Sequence, residues 1–245
     1  MEKFKVTYKP FGNSAILIEW PSIISKDIIN DIHLFSLKIE KHAIKHILDV
    51  NYVYNSLLVI YNSNKIDFPN LKENLKQLYN EAYLVVPKVS KSLWEIPVCY
   101  AEEYGVDLAL LSSSKNMSIA QIIVLHSSTN YLVYGIGFLP GFLYLGGLPE
   151  KLQYPRKNTP RLEVPKGSVA IGGNQTGIYP RTSPGGWQII GRTPILLFNV
   201  EKENPCAIMP NDEIRFKAIS KEEFIHIENE EKRGDYKLKR IRYNA

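Results

Sequence analysis

Residues 135–194 hold 12 of the chain's 15 glycines and 8 of its 15 prolines, where average usage would place roughly four and three. Glycine permits positive φ and close backbone approach, and proline fixes φ and removes a donor. Together they hold irregular backbone in one shape rather than leaving it slack. Ordered irregular loops are where sites sit. The same stretch carries Lys151, Arg156, Lys157, Arg161, Lys166, Arg181 and Arg192 against Glu150 and Glu163, 7 − 2 = +5, equal to the net charge of the whole chain. The remainder is neutral in sum.

With 245 residues, 44% of them hydrophobic and 22% charged, the chain can bury a core without staples and has the composition of a globular protein. Cys99 and Cys206 match no zinc or CxxC spacing, which points to reduced thiols and a cytoplasmic protein. The N-terminal residues lack a signal-peptide apolar core, and no apolar run reaches the ~18 residues of a membrane helix. Basic residues spaced among prolines and glycines, without nucleic-acid-binding patterns, suit a small anionic ligand better than nucleic acid.

The pattern along the chain predicts two domains, 1–90 and 91–245, of α+β class. Residues 3–9 and 14–20 read as a hairpin. A helix follows the N-cap Ser25 and ends by about Lys45. Strands over His46–Val50 and Ser56–Tyr61, a helix from Asn70 and a short apolar run over Tyr83–Val86 complete an α/β sandwich. Pro87–Lys91 is the expected boundary. Beyond it come a strand over Leu93–Tyr100, a short helix over Val106–Ser112, and a helix started by the capping box Ser118–Gln121 and ending near His126. Strands are then expected over Tyr131–Gly137, Ser168–Gly172, Gly177–Tyr179, Trp187–Ile190, Ile195–Phe198, Glu213–Lys217 and Glu223–Glu228. Residues from Glu230 read as a solvated tail or exposed helix. Short strands between Gly/Pro turns make a barrel or a sandwich.

Familiar sites are excluded on spacing. Gly135–Pro140 misses the third glycine of a dinucleotide loop, and there is no P-loop, no GxSxG elbow and no paired-histidine metal pattern. What remains is basic, amide-rich and aromatic. Arg156 and Arg161, held by Pro155, Pro160 and Pro165, can grip a carboxylate or phosphate, or stand solvated beside a sheet edge. Gly172–Asn174 before Gln175 and Thr176 is an anion nest or an ordinary hairpin turn. Tyr179 and Trp187 are core aromatics, or Trp187 after Gly185-Gly186 is a packing wedge under the loop. His126 is a general base or a histidine favoured by a helix C-terminus. Phe138–Tyr144 is an apolar wall or a partner surface.

The runs Gly137–Leu145, Pro155-Arg156, Pro160-Arg161, Val164-Pro165, Gly167–Val169, Gln175–Pro180, Ser183–Trp187 and Ile190–Pro194 together resemble the bacterial 5-oxoprolinase B-subunit family. That family is also described as allophanate hydrolase subunit 1 and includes a Kip-type inhibitor of a sporulation sensor kinase. The chain departs from it at Ala101-Glu102, where a Gly-Gly pair is usual, at Val106, where a proline is usual, and at Asn211, where glycine is common. Asparagine tolerates the left-handed geometry of such a turn.

The resemblance implies a cyclophilin-like β-barrel as the second domain and work within an ATP-dependent complex that opens 5-oxoproline to glutamate, with or without magnesium. It implies two 5-oxoprolinase partners, a C-type subunit of the biotin-dependent carboxylase kind and an A-type subunit of the lactam-utilisation kind. Self-association as a homodimer stays open. So do two other functions, inhibition of a sensor histidine kinase and hydrolysis of an allophanate-like substrate. Phosphorylating a lactam oxygen removes amide resonance, and arginines stabilise both the transferring phosphoryl group and a substrate carboxylate. On this reading Arg156, Arg161 and His126 are the catalytic candidates, and Gln175, Thr176, Tyr179 and Arg192 contact substrate. Rigid turns would aim the guanidinium groups into one shared cavity.

Overall fold

The computed structural model describes residues 4–81 and 90–244. The chain divides into two compact units, residues 1–88 and 89–245. The expected run Tyr83–Val86 and most of the expected boundary Pro87–Lys91 lie outside the described residues.

In the first unit, strands β1 (Thr7–Pro10) and β2 (Ala15–Glu19) form the expected hairpin, followed by helix α1 (Lys26–Lys41), β3 (Ile47–Val53), β4 (Ser56–Tyr61) and helix α2 (Phe68–Asn80). The sheet is antiparallel in the order β1-β2-β4-β3. Alternation along β2 and β4 buries Ile16, Ile18, Leu57 and Val59, which share a core with Ile28, Ile32 and Phe35 of α1 and with Leu71 and Leu75 of α2. Ser25 caps α1 by accepting from the Asp27 N–H. Asp67 caps α2, so that helix begins two residues before Asn70, with a proline in its first turn where the missing donor costs nothing.

The second unit is a closed barrel of seven strands. These are β5 (Ser90–Cys99), β6 (Asn130–Ile136), β7 (Leu143–Gly146), and, beyond the short strand β8 (Arg161–Val164), β9 (Ser168–Gly172) and β10 (Gln175–Ile178). After β11 (Ser183–Gly185), which pairs with β8 apart from the barrel, come β12 (Gln188–Arg192) and β13 (Glu213–Ile219). The order is β12-β9-β10-β7-β6-β13-β5, closed by the pairing of Arg192 with Cys99. Helices α3 (Leu108–Lys115) and α4 (Ile119–Ser128) lie between β5 and β6, and α4 starts on the expected capping box. Residues alternate between two faces along β9. Val169 and Ile171 join the barrel core, while Ala170 joins an outer cluster with Phe142, Val164, Tyr179, Trp187 and Ile189. That outer cluster positions the site.

Four expectations change here. Glu223–Glu228 is not a strand but part of helix α5 (Lys221–Arg233), because Ser220 and Glu223 form a reciprocal capping box. From Glu230 the exposed-helix alternative holds as far as Arg233, the end of α5, but the residues beyond are not a solvated tail, because Lys239–Asn244 form β14 on the edge of β5, with Arg240 donating to Ser92 and lying 4.9 Å from the Trp94 ring. Ile195–Phe198 is not a strand. Ile195 and Leu197 are buried, but Leu196 N–H is satisfied by the Glu231 carboxylate rather than by a ladder. Strands β7, β8 and β11 had no counterpart in the pattern. Asn211 does take positive φ, +74°, as the turn requires.

Candidate functional site

A cleft of about 340 Å³ opens on the outer face of the barrel. Its floor is aromatic. Phe142 meets Tyr144, Tyr179 and Trp187 edge-on at 4.9, 5.3 and 5.6 Å between ring centres. Its rim carries Arg156, Lys157, Pro160, the Pro184-Gly185-Gly186 turn and the exposed ring of Phe138. The glycine density has a steric cause at this floor. A Cβ on Gly172 would lie 2.5 Å from the Trp187 ring, and one on Gly177 would lie 2.9 Å from the Leu143 carbonyl and 3.0 Å from Trp187. Only bare backbone lets the indole lie against the barrel wall.

Arg156 belongs to this cleft. Its guanidinium lies 5.4 Å from the Trp187 ring centre, a cation–π contact that holds it over the floor. Burial raises the Tyr144 and Tyr179 hydroxyls above the ordinary phenol range, so both stay neutral donors, an effect that nearby Arg156 partly offsets.

Arg161 does not face the cleft as expected. Its Nη2 donates to Asp107 Oδ1 at 2.7 Å, and its Nη1 reaches the Trp187 carbonyl at 3.4 Å. Asp107 is 4% exposed and also accepts from Ile189 N–H at 2.6 Å, while its own N–H donates to the Ile189 carbonyl. Asp107 therefore ties the start of α3 to β12. Lys157 Nζ stands 3.5 Å from the same Oδ1, and Lys157 N–H donates to the Gly186 carbonyl at 2.7 Å. Sequence reasoning missed both Asp107 and Lys157. The one available signal was Asp107, an acid at the N-cap of α3 beside the departure at Val106.

Arg192 lies elsewhere. It lines a second cleft of about 320 Å³ with Lys166, Glu228 and Glu231, donates to the Lys166 carbonyl, and lies over Tyr104. Trp187 stands just before β12 and Arg192 at its far end, the five residues of the strand between them spanning roughly 16 Å. Several guanidinium groups in one cavity is therefore not what the fold builds; of the three arginines, Arg156 alone lines the aromatic cleft.

His126 and Thr176 are inside the barrel. Thr176 Oγ1 donates to the Ala170 carbonyl, so it accepts from His126 Nε2–H at 3.1 Å, and His126 Nδ1 accepts from the Tyr100 hydroxyl at 2.8 Å. The ring stacks on Phe216 at 4.5 Å. Desolvation pulls its pKa down to about 3. A neutral, fully satisfied imidazole with no solvent path is a core residue, so His126 is withdrawn as a proton-transfer candidate. Gln175 is buried at the β9–β10 turn. That turn is a hairpin and not a nest, since Gly173 N–H donates to the Tyr154 carbonyl at 2.8 Å. Tyr179 lies in the cleft floor.

Two further expectations meet the geometry. Of Phe138–Leu145, Phe142, Leu143 and Leu145 are buried, so the run is mainly a wall rather than a docking surface. Ala101 packs near Phe224, and Glu103 pairs with Lys221, which places the Ala101-Glu102 loop beside α5.

The family model for the carboxyltransferase domain, subdomains C and D, matches residues 6–208. The chain is 32% identical over 223 residues to the B subunit of 5-oxoprolinase from Bacillus subtilis, covering 87% of this chain and 92% of that protein. It is 39% identical over 209 residues to the B subunit of 5-oxoprolinase from Haemophilus influenzae, covering 84% and 95%. The crystal structure of TTHA0988 superposes with a TM-score of 0.73 at 30% identity over 84% of this chain, which spans only 40% of that longer one. The chain belongs to the 5-oxoprolinase B-subunit family.

Proposed function

We propose that the chain is one subunit of an ATP-dependent complex that opens 5-oxoproline to glutamate, and that the aromatic cleft is where the lactam acid binds. The observation that carries this reading is Arg156 held over Trp187 at the rim of a cleft of about 340 Å³, within the ~300–1,000 Å³ of small-molecule sites. A flat five-membered ring suits the aromatic floor. Its carboxylate suits a guanidinium that makes no ion pair among the described residues. Coverage of 92% and 95% of two relatives named as B subunits of 5-oxoprolinase supports the reaction.

The lactam resists water because amide resonance makes its nitrogen a poor leaving group. ATP, when bound by the complex, supplies the phosphoryl group that removes this resonance at the carbonyl oxygen. The Gly172–Asn174 turn that offered an anion nest does not line the cleft, and its Gly173 N–H donates to the Tyr154 carbonyl, so the cleft is read as holding the lactam acid rather than the nucleotide. This chain's part is to bind and orient. Phe142, Tyr144, Tyr179 and Trp187 hold the ring away from water, and Arg156 fixes the acid end so that the carbonyl is presented in one direction.

The test is reconstitution with candidate A-type and C-type partners. Glutamate should be released from 5-oxoproline only when ATP and all three proteins are present. Turnover by this chain alone, or none by the assembled complex, would overturn the reading.

A further inference from the structure

Lys157 is where the hydrogen bonds around the cleft converge. Its backbone is pinned to Gly186, and its ammonium, 29% exposed, faces Asp107 at 3.5 Å. That carboxylate is already filled by Arg161 at 2.7 Å on the same oxygen and by Ile189 N–H at 2.6 Å on the other. Two cations share one anion, and the closer guanidinium neutralises it. The charge of Lys157 is left over, and an ammonium has three N–H donors, of which a single long contact occupies one. Arg156 beside it makes no ion pair among the described residues and is held by an aromatic face instead. The rim thus presents two uncompensated positive charges, and among the described residues no carboxylate side chain lines the cleft. Lys157 is part-buried and shares the Asp107 carboxylate with Arg161, and Arg156 stands exposed at the rim, so an anionic ligand would find both cations available.

We infer that the cleft binds a ligand with two anionic groups, one on Arg156 and the other on Lys157, and that Asp107 positions Lys157 for the second. This rests on the reading of the cleft as the substrate site and deepens it. 5-Oxoproline brings one charge, its carboxylate, which Arg156 takes. The second is the charge at the lactam oxygen once it carries a phosphoryl group, and Lys157, a compact point charge, faces it. Arg161 then takes the closer place on the Asp107 carboxylate, so that Lys157 is not drawn fully onto it.

Titration calorimetry on the full chain tests this with two probes of similar length, 5-oxoproline with one charge and glutarate with two. Glutarate should bind about tenfold tighter, the worth of one added charge-assisted contact. Lys157→Met should erase that advantage, weakening glutarate more than 5-oxoproline, whereas Arg156→Met should weaken both probes alike. Asp107→Asn should also erase the advantage. If that variant does not fold, Lys157→Met carries the test, since its side chain stands at the rim. Equal affinities for the two probes, a Lys157→Met variant that weakens both alike, or no binding of either at millimolar concentration would each overturn the inference. Such a result leaves the assignment of the reaction to be judged by glutamate release in the assembled complex.

Discussion

Arg161 closes on the buried carboxylate of Asp107 at 2.7 Å, and the pair fastens the start of β8 to the start of α3. Removing Asp107 takes away the ion-pair partner of Arg161, and removing Arg161 leaves the buried carboxylate with the 3.5 Å Lys157 contact in place of the 2.7 Å one, which is more costly than the net worth of the pair. Arg161→Ala should therefore lower stability by ~3 kcal/mol in urea unfolding. Any activity it loses should follow the folded fraction rather than a lost substrate contact. Unchanged unfolding with abolished activity would return Arg161 to the cleft.

Gly172 and Gly177 are the surface against which Trp187 lies. Gly172→Ala should cost about 1–3 kcal/mol, because its Cβ would sit 2.5 Å from an indole that cannot move without lifting off the wall. The measurement is urea unfolding together with Trp fluorescence, and the emission should shift to the red as the ring becomes wetter. Gly173→Ala is the comparison. Among the described residues beyond its two chain neighbours nothing lies within 4 Å of its Cβ, and its φ of +68° costs only the ~1 kcal/mol of a left-handed alanine.

Local rules were legible in the sequence where the chain obeys one rule at a time. Ser118 and Gln121 announced α4, and the hairpin over β1 and β2 followed from alternation around a turn. Where two rules compete, the outcome depended on which was read. Phe224, Ile225 and Ile227 mimic a strand, yet the cap at Ser220 and Glu223 decides for a helix. Strand β14 was hidden for another reason. Its partner β5 lies 148 positions away at the Arg240–Ser92 contact, and charged side chains on an edge strand look like a tail until that partner is known. In the site, the aromatic floor and Arg156 were legible as a cluster. The division among the arginines was not, because proline-rich loops fix where a side chain starts and not which carboxylate it meets. Asp107, which claims Arg161, stands 54 positions earlier in the chain.

His126 makes stability depend on pH in a stated direction. Its pKa falls from an ordinary 6.5 to about 3 in the folded barrel, so between those values the unfolded chain binds a proton that the folded chain does not. Stability from this residue is full above pH 6.5 and is lost as pH falls towards 3, at ~1.4 kcal/mol per pH unit. Between pH 7 and 5 the wild type should lose about 2 kcal/mol more than a His126→Gln variant. Parallel pH profiles for the two proteins would mean that the ring is protonated inside the barrel.

The most direct measurement compares two arginines in the assembled complex, by kcat/KM for ATP-dependent glutamate release from 5-oxoproline. Arg156→Ala should reduce it about 10- to 100-fold, the loss of one charge-assisted contact to the substrate carboxylate. Arg192→Ala, whose side chain lines the other cleft, should stay within about twofold, as expected for a residue that contacts nothing in the reaction. The reverse pattern, with Arg192 essential and Arg156 dispensable, would contradict the placing of the substrate on the aromatic floor.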